Sequence, residues 1–356
     1  MKAVSIEDLH PGMTLARTIV NDNMIVVLSE NTVLTKPHIT RLGFLNVPAV
    51  YIKDDYELNA TPLVGEPLTR SHAFVAQYSE VVHTAQDIFD TVAKDGEIPA
   101  ETVKKTEHMI QSDIAPMAKQ SGAIDYLYEL NHLANDVYNH SLRVSILAGV
   151  IAKWLRFDKQ KTQEVVMAGF MHDIGKSKFT KRLLEKNIAT LKGEDLDAYM
   201  RHTTDGHDLL ASNKDLADGI KLTALQHHER MDGSGFPFGF TGKDIHEYAR
   251  IIAVADIYDN ITTEREGYVK ETPFSAIARI TEDMFSKLDP AVCIPFLTNI
   301  KAVFLGSTVT LSNGLQGTLI SYPGDFAAYP LIRITQDDLI DLNDHKNIKI
   351  VEYNPK

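Results

Sequence analysis

The sequence predicts a multidomain protein with a central all-α domain, a small α+β N-terminal module with a helical linker, and a small β-barrel-like C-terminal domain. Three observations support this prediction. Apolar residues recur at helical spacing through the central region, strand-like alternation is confined to the two ends, and 356 residues exceed the usual size of one domain. The expected boundaries are 1–60 for the α+β module, 61–122 for the helical linker or hairpin, 123–300 for the central domain and 301–356 for the β domain.

The N-terminal module is predicted from short β-branched runs separated by turn residues. We expect strands over Thr14–Val20, Met24–Leu28 and Ala49–Ile52. Between them, His38–Phe44 follows a proline and ends near a glycine, which indicates one short helix. A sheet with one helix gives an α+β module.

The helical linker follows from residue 68 to about residue 120. Phe74, Tyr78 and Val81 begin a series of apolar residues three and four positions apart, which indicates an amphipathic helix. Pro99 interrupts the pattern, and a second helical stretch follows over Ala100–Lys119. The two helices fit either a hairpin or a stalk, and we expect a role in dimerisation or partner binding.

The central and C-terminal domains differ in the period of their apolar residues. Helices are predicted in the central domain over Val137–Leu155, Thr162–Met171, Leu216–His228 and Tyr248–Thr262. Strands are predicted at the C-terminal end over Thr308–Leu311, Leu315–Ser321, Leu331–Thr335 and Ile348–Val351. The change of period places the domain boundary near residue 300.

Composition and charge exclude several classes of protein. Hydrophobic residues make up 44% and charged residues 24% of the chain, which is typical of a folded globular protein. A formal net charge of -12 disfavours binding to DNA or RNA, because a basic surface binds a polyanion by releasing the counterions of the polyanion into solution. An anionic small ligand therefore requires a metal or a few well-placed cations.

The expected location is the cytoplasm, and no membrane span is expected. The single cysteine, Cys293, lies in an apolar stretch and has no partner for an internal disulfide, which fits a reducing compartment. The first residues lack the apolar segment of a signal peptide. The stretch 302–324 has no charged residue but contains too many polar residues and glycines for a membrane helix.

Histidines and carboxylates cluster in the central domain, which raises the question of a metal site. Adjacent His172 and Asp173 follow an apolar helix face, and side chains of neighbouring helical residues diverge by about 100°, so that one carboxylate can reach between two metals. His227 and His228 precede a loop rich in glycine and proline. Asp256 interrupts an otherwise apolar run, and a buried carboxylate is costly unless it is paired or binds a metal.

Taken together, five separated motifs resemble the HD-GYP branch of the HD superfamily in order and spacing. The resemblance covers about 170 residues, and five motifs are far more specific than any one of them. The motifs are HSLRV from His140, HDIGK from His172, His202 with Gly206, HHERMDGSGFP from His227 and VADIYD from Val254.

This resemblance implies an all-helical domain that holds two or three divalent ions and hydrolyses cyclic di-GMP to pGpG or GMP. Asp173 matches the bridging carboxylate, and Lys176 matches the lysine that contacts the scissile phosphate. Asp136 stands where members with three metals have a longer glutamate. The residues that match the metal ligands are His140, His172, Asp173, His202, His227, His228 and Asp256, with Asp136 as a further candidate.

The implied chemistry agrees with the residue types. Two ions about 3.5 to 4 Å apart can activate a water and offset charge on phosphoryl oxygens. Mixed imidazole and carboxylate ligands suit Fe, Mn or Zn better than Mg, and the family precedent favours iron or manganese. Lys176 is then expected to stabilise the developing phosphate charge or to assist the departing oxygen. Asp173 and Lys176 are the candidate catalytic residues.

The candidate substrate-binding residues depart from the family pattern in two places. Phe236 replaces the tyrosine of the family loop, which keeps the aromatic ring and loses a hydroxyl group. Arg265 matches a family cation that binds phosphate, but the second cation is displaced, and Lys270 is the candidate to replace it. We therefore expect Lys176, Arg265, Phe236 and Lys270 to contact the substrate.

Several other residues are assigned ordinary structural roles. His207 is expected to be structural, and His132 and His246 to lie at the surface. Glu229 is interpreted either as a partner that orients a ligand imidazole or as a helix-end charge, and the sequence leaves both open.

The leading hypothesis is a metal-dependent cyclic di-GMP phosphodiesterase. Two alternatives stay open: a binding or signalling module with little turnover, suggested by Phe236 and the displaced cation, and a hydrolase of another nucleotide phosphoester. A homodimer and partner proteins bound by the flanking domains are further expectations.

Overall fold

A computed structural model of the chain describes residues 2–5, 9–10, 13–16, 19–20, 26–28, 32–35, 38–39, 42, 49–52, 67–130, 136–184, 186, 190–264, 270–324, 326–336 and 338–354. Their contacts divide the chain into two compact units, Met1–Thr69 and Arg70–Lys356. No helix in these ranges is both long enough and apolar enough to cross a membrane.

The described residues of the first unit form two small antiparallel sheets. Strands β1 (Lys2–Ser5) and β4 (Ala49–Ile52) pair with Lys2 opposite Ile52, and β2 (Ile19–Val20) pairs with β3 (Val26–Leu28). The sequence did not indicate β1. Of the predicted helix over His38–Phe44, the described residues 38, 39 and 42 are helical, and the others lie outside the described residues. The apolar core of this unit consists of Leu9, Leu15, Leu28, Leu34, Leu42, Val50 and Ile52.

Helices form most of the second unit. Several of them precede the candidate metal ligands in the chain. They are α1 (Pro67–Asp95), α2 (Ala100–Met109), a π-helical segment (Ile110–Ile114), α3 (Ala115–Lys119) and α4 (Ala123–Leu130). Pro116 has no N–H to donate to the preceding turn, which accounts for the irregular segment within the helix predicted over Ala100–Lys119.

Helix α1 packs on the helical core through its apolar side. Phe74, Tyr78 and Phe89 are almost fully buried, and the Phe89 ring contacts the Phe170 ring with centroids 5.7 Å apart. The interpretation of this helix as a projecting stalk is therefore wrong. Its apolar face lies within the unit's own core and is not available as a dimer surface.

The remaining helices of the described residues include the four that the sequence predicted, whose ends differ from the predicted ones by at most three residues. Their bounds are α5 (Val137–Trp154), α6 (Lys159–Met171), α7 (Lys181–Leu184), α8 (Glu194–Met200), α9 (His202–Ala211), α10 (Asp218–Gln226), α11 (Glu247–Thr262), α12 (Pro273–Asp283) and α13 (Pro290–Phe304). Two 3-10 turns cover Ile174–Lys178 and Gly242–Asp244.

The chain ends in a five-stranded antiparallel sheet of order β8-β7-β6-β5-β9. Its strands are β5 (Thr308–Leu311), β6 (Gln316–Ser321), β7 (Leu331–Arg333), β8 (Leu339–Asp341) and β9 (Ile350–Asn354). Gly314 has a φ of 85° in the turn between β5 and β6, as expected for the Asn313-Gly314 pair. Tyr353 of β9 packs on Phe274 and Phe304, so the sheet shares the helical core.

Candidate metal centre

The HDIGK motif begins where helix α6 ends. His172 and Asp173 are buried directly after Met171, and a 3-10 turn follows. Gly175 is required in this turn, because a Cβ atom there would lie 2.0 Å from the His202 carbonyl oxygen. The close backbone approach brings Asp173 next to the start of helix α9, which carries His202.

Three of the candidate ligand imidazoles are oriented by backbone carbonyl groups. The Nδ1 atom lies 2.6 Å from Gly169 O in His172, 2.5 Å from Tyr199 O in His202, and 3.1 Å from Thr223 O and Ala224 O in His227. A carbonyl oxygen only accepts hydrogen bonds, so each Nδ1 carries the hydrogen. Each Nε2 atom then carries a lone pair, which is the form that binds a metal.

The candidate ligands form two adjacent groups of side chains. One group consists of His140, His172 and Asp256, and the other of Asp173, His202, His227 and His228; the ligand atoms within each group lie within 4.8 Å of one another. We refer to them as the first group and the second group. The structure thus brings together all seven main ligands that the sequence predicted.

Asp173 lies between the two groups. Its Oδ2 atom is 3.5 Å from His140 Nε2 and 3.4 Å from His172 Nε2. Its Oδ1 atom is 3.3 Å from His202 Nε2 and 3.6 Å from His227 Nε2. Each carboxylate oxygen therefore faces a different pair of histidines, which is the arrangement of a carboxylate that bridges two ions.

The polar atoms at this site fit a divalent cation. Among the described residues, His172 Nε2, Asp173 Oδ1 and His228 Nε2 are buried without a hydrogen-bond partner. The Nε2 atoms of His202 and His227 face each other at 3.3 Å, although both Nδ1 hydrogens already donate to carbonyl groups. Ligands on one ion with bonds of about 2.1 Å are separated by about 3.0 to 3.4 Å, which matches these distances.

His140 is oriented by a carboxylate instead of a carbonyl. Asp259 Oδ2 lies 2.8 Å from His140 Nδ1, and the Arg143 Nε atom donates to Asp259 Oδ1 at 2.7 Å. Sequence reasoning gave Asp259 no role, although it ends the VADIYD motif one helical turn after Asp256 and therefore lies on the same face. Asn260 Nδ2 donates to Asp256 Oδ1 at 2.6 Å and fixes that carboxylate.

The pKa of His140 in the first group and the pKa values of the second-group histidines are shifted in opposite directions. Burial opposes the charged form of His140, but hydrogen bonds to Asp256 and Asp259 raise its pKa to about 9. Burial lowers the pKa of His202 to about 4 and holds those of His227 and His228 well below the usual range. The second group therefore offers neutral imidazoles, whereas His140 holds a proton in the metal-free chain.

Lys176 lies beside the bridging carboxylate. Its Nζ atom donates to Asp173 Oδ2 at 2.5 Å and lies 5.4 Å from the centre of the Tyr199 ring. Burial opposes the charge on both partners, yet the ion pair raises the pKa of Lys176 and lowers that of Asp173. Lys176 is thus a fixed cation at the wall of the cavity.

The loop after His228 covers one side of the site. The Phe236 ring stacks on the His228 ring with centroids 4.5 Å apart. Glu229 is buried and accepts hydrogen bonds from the backbone N–H of Phe238 at 2.8 Å and of Phe240 at 3.1 Å. Glu229 therefore ties down the loop. Among the described residues no imidazole donates to its carboxylate, so the interpretation as a partner that orients a ligand imidazole is wrong.

A cavity adjoins the metal centre and extends well beyond the ligand residues. It has a volume of about 1780 Å³. His140, Asp173 and Asp256 line one end, and Arg279 of helix α12 and Lys346 before strand β9 line other parts. The cavity is therefore bounded by both the helical core and the C-terminal sheet.

Two of the predicted site residues that the structure describes, Asp136 and Lys270, lie outside both groups. Both Asp136 oxygens accept hydrogen bonds from Asn139 at the start of helix α5, so Asp136 caps that helix and stands outside either group. The Lys270 ammonium lies 4.9 Å from the centre of the Tyr128 ring, and its contact with the substrate stays a prediction. Arg265 lies outside the described residues.

The other histidines show ordinary environments where they are described. His207 is half-buried, and its Nδ1 atom lies 3.4 Å from an oxygen of the neighbouring Asp208. His246 caps helix α11 by accepting from Tyr248 N at 3.1 Å. His132 lies outside the described residues.

Comparison with known proteins identifies the central region. Residues 127–292 match the HD domain family. The cyclic di-GMP phosphodiesterase PA4108 of Pseudomonas aeruginosa is 29% identical over 220 residues, which are 62% of this chain and 53% of that protein. The cyclic di-GMP phosphodiesterase response regulator RpfG of Xanthomonas campestris is 32% identical over 161 residues, which are 45% of this chain and 42% of that protein. The chain thus spans about half the length of the curated relatives it matches.

A solved structure shares the fold. Bd1817, described as a HDG"Y"P protein from Bdellovibrio bacteriovorus, aligns with a TM-score of 0.55 and 17% sequence identity. The alignment covers 84% of this chain and 99% of that chain. It therefore extends beyond the matched HD domain to most of the chain.

The fold and the site define a helical domain of the HD type, with a His/Asp cluster suited to divalent metals. Residues 127–292 therefore match the HD domain family, and the resemblance to the HD-GYP branch that the five motifs indicated is confirmed.

Proposed function

We propose that this protein is a metal-dependent phosphodiesterase that hydrolyses cyclic di-GMP to pGpG, GMP or both. The observation that carries the proposal is the position of Asp173, whose two oxygens face different pairs of histidines. A bridging carboxylate between two ion sites suits attack of water on a phosphodiester. The names of the matched relatives support cyclic di-GMP as the substrate.

The metal centre is proposed to hold two ions, with Asp173 shared between the first group and the second group. Iron or manganese is the preferred metal, because both accept mixed imidazole and carboxylate ligands. Asp136 is the candidate ligand for a third ion, and its carboxylate would first have to leave Asn139. The ions would supply Lewis-acid activation of a water and of the phosphoryl oxygens.

The chain's own residues supply the remaining chemistry in this proposal. Lys176 presents a fixed positive charge to the phosphate as negative charge develops, and its pairing with Asp173 keeps it protonated. Phe236 offers an aromatic face near the centre against which a base can stack. Arg265 remains a predicted phosphate contact.

The first experiment is anaerobic purification with elemental analysis, followed by incubation of the metal-loaded chain with cyclic di-GMP and chromatography of the products. We expect two or more ions per chain and formation of pGpG or GMP. His172→Ala and Asp173→Ala are expected to abolish turnover. His207→Ala is the matched control, because this half-buried histidine lies outside both ligand groups.

The outcomes separate the proposal from its alternatives. Bound ions and tight binding of cyclic di-GMP without product would favour a binding or signalling module. Turnover of another nucleotide phosphoester in a substrate panel, without turnover of cyclic di-GMP, would favour a hydrolase of that ester. A chain that binds no metal under these conditions would overturn the site assignment.

The layout around the site is also a proposal. We infer an α+β accessory module over 1–60, a helical linker over 61–122, the hydrolase domain over 123–300 and a barrel-like β domain over 301–356. The lone, buried Cys293 supports a cytoplasmic location. A homodimer and partner proteins bound by the flanking domains remain predictions. Light scattering tests the homodimer by measuring the mass of the particle in solution.

A further inference from the structure

A buried hydroxyl group on helix α1 contacts the residue that precedes a metal ligand. The Tyr78 hydroxyl donates to Asn139, at 3.2 Å from its side-chain oxygen and 3.3 Å from its carbonyl oxygen. Tyr78 is fully buried and Asn139 is almost so. Because a buried hydroxyl group is costly without a partner, this contact fixes Tyr78 against the first turn of helix α5.

The same hydroxyl group also lies beside the cation that holds the partner of His140. Burial raises the pKa of Tyr78, and the charge of the Arg143 guanidinium and a hydrogen bond with it act in the opposite direction. Arg143 donates to both oxygens of Asp259, at 2.7 Å and 3.1 Å. Asp259 in turn holds His140 Nδ1 at 2.8 Å.

Tyr78 therefore reaches His140 along two short routes. One runs through Asn139, the neighbour of His140 in the chain, and the other through Arg143 and Asp259. Both routes end at the first group, and neither touches a histidine of the second group. Tyr78 itself lies outside the HD domain match, which begins at residue 127.

We propose that Tyr78 is a positioning residue for the metal ligand His140, through the buried contacts with Asn139 and with the Arg143–Asp259 pair. This inference rests on the metal centre proposed above and not on the identity of the substrate. The Tyr78 ring and His140 must keep a fixed geometry relative to each other, because the partners behind a metal ligand set its orientation and its affinity for the metal. Helix α1 is then part of the metal centre, although it precedes the HD domain in the chain.

We expect loss of the Tyr78 hydroxyl group to weaken binding of the ion at the first group only. Loss of the Tyr78 hydroxyl group leaves the His202 and His227 rings in place, because they donate to backbone carbonyl groups. The His228 ring also stays in place, because it stacks on the Phe236 ring. It removes one support from His140. A general loss of stability would instead weaken both ions together.

The test is titration of the full-length, metal-free chain with Mn²⁺ by calorimetry, comparing Tyr78→Phe with the parent. We expect two binding steps in the parent, and one of them weakened by about three- to tenfold in the variant, as for loss of one buried hydrogen bond. The other step should not change. Tyr322→Phe is the matched control, because its buried hydroxyl group has no hydrogen-bond partner among the described residues.

Each outcome decides the inference. Equal weakening of both steps, or no change in either, would overturn it. If Tyr78→Phe does not fold, as judged by circular dichroism, Asn139→Ala removes the side-chain acceptor from the other side, and an unchanged titration there overturns it as well. A parent chain that binds no Mn²⁺ would instead refute the proposed metal centre, so the two failures are distinguishable.

Discussion

The two ligand groups are held in place by different chemistry. His140 of the first group is supported by the Asp259 carboxylate, and Asp256 lies 3.1 Å from its other nitrogen. His202 and His227 of the second group are supported by backbone carbonyl groups of their own helical turns. His140 of the first group therefore depends on side chains of helix α11, whereas His202 and His227, like His172 of the first group, depend on local backbone geometry.

This difference determines how each group meets a metal ion. Carboxylates around His140 attract a cation but also attract a proton, so an ion there must displace one. The buried imidazoles of the second group are already neutral, so no proton competes with a metal ion for them. The comparison predicts that single substitutions can weaken one ion and leave the other unchanged, except at the residue that both groups share.

Asp173→Asn is expected to have the largest effect, because Asp173 serves both groups. The amide keeps the shape but removes the charge and one acceptor, and Lys176 loses its ion partner. We expect loss of both ions and a fall in phosphodiesterase activity of about a thousandfold or more, equivalent to about 4 kcal/mol. Elemental analysis and product chromatography measure the two effects.

Asp205→Asn is the matched control for this substitution. Asp205 pairs with Lys178 at 3.4 Å nearby but belongs to neither ligand group. Retention of one tightly bound ion by Asp173→Asn would show that the carboxylate belongs to one group only and is not shared.

Asp259→Asn is expected to act on the first group alone. Removal of a carboxylate behind a ligand imidazole typically weakens metal binding by about 10- to 100-fold. Calorimetric titration with Mn²⁺ should show this loss in one binding step. The buried Arg143 also loses its charge partner, so we expect a decrease in the free energy of unfolding of about 3 kcal/mol.

A weakened second group in this variant would contradict the comparison. Thermal denaturation with and without Mn²⁺ separates the two effects, because the loss of the Arg143 partner lowers the stability of the metal-free chain as well.

The sequence predicted the second group more readily than the supports behind the first. His202, His227 and His228 stand at helix ends within short motifs, and local backbone geometry directs them. Residues that act through distant partners were not recognised. Tyr78 fits an apolar helical pattern, and its partner Asn139 lies 61 residues further along the chain. No periodicity connects two such residues.

Loops and short strands were the other source of error. Glu229 binds loop N–H groups that follow no regular pattern, so nothing in the sequence indicated them. The Lys270 ammonium lies over the Tyr128 ring, an interaction that spacing does not reveal, and its contact with the substrate stays a prediction. Strand β8 has only three residues, which is too short for alternation to be seen.

The pH dependence of metal binding is expected to differ between the groups. His140 has a pKa of about 9 in the metal-free chain, so below that pH an ion must displace its proton. Affinity at the first group should rise by about tenfold per pH unit from about pH 6 to pH 9 and then level off. His202, with a pKa of about 4, is neutral over this range, so affinity at the second group should stay nearly constant.

Mn²⁺ titrations at several pH values check this expectation, and parallel pH slopes for the two steps would contradict it. The stability of the metal-free chain provides a second measurement. The raised pKa of His140 stabilises the fold at low pH, and this contribution is lost as the pH rises from about 6.5 through 9. The lowered pKa of His202 acts in the opposite direction and costs stability as the pH falls below about 6.5.

Phe236→Tyr is expected to have the smallest effect and to leave both ions unchanged. The Phe236 ring stacks on His228, which keeps its position when a hydroxyl group is added at the far edge of the ring. If that hydroxyl group reaches the substrate, one hydrogen bond should lower KM for cyclic di-GMP by about two- to tenfold, with kcat unchanged. Phe238→Tyr, on the same loop and 60% exposed, is the matched control. A change in Mn²⁺ binding at the second group would show that the Phe236 ring acts on His228 and not on the substrate. It would contradict the expectation that the loop does not affect the metal ions.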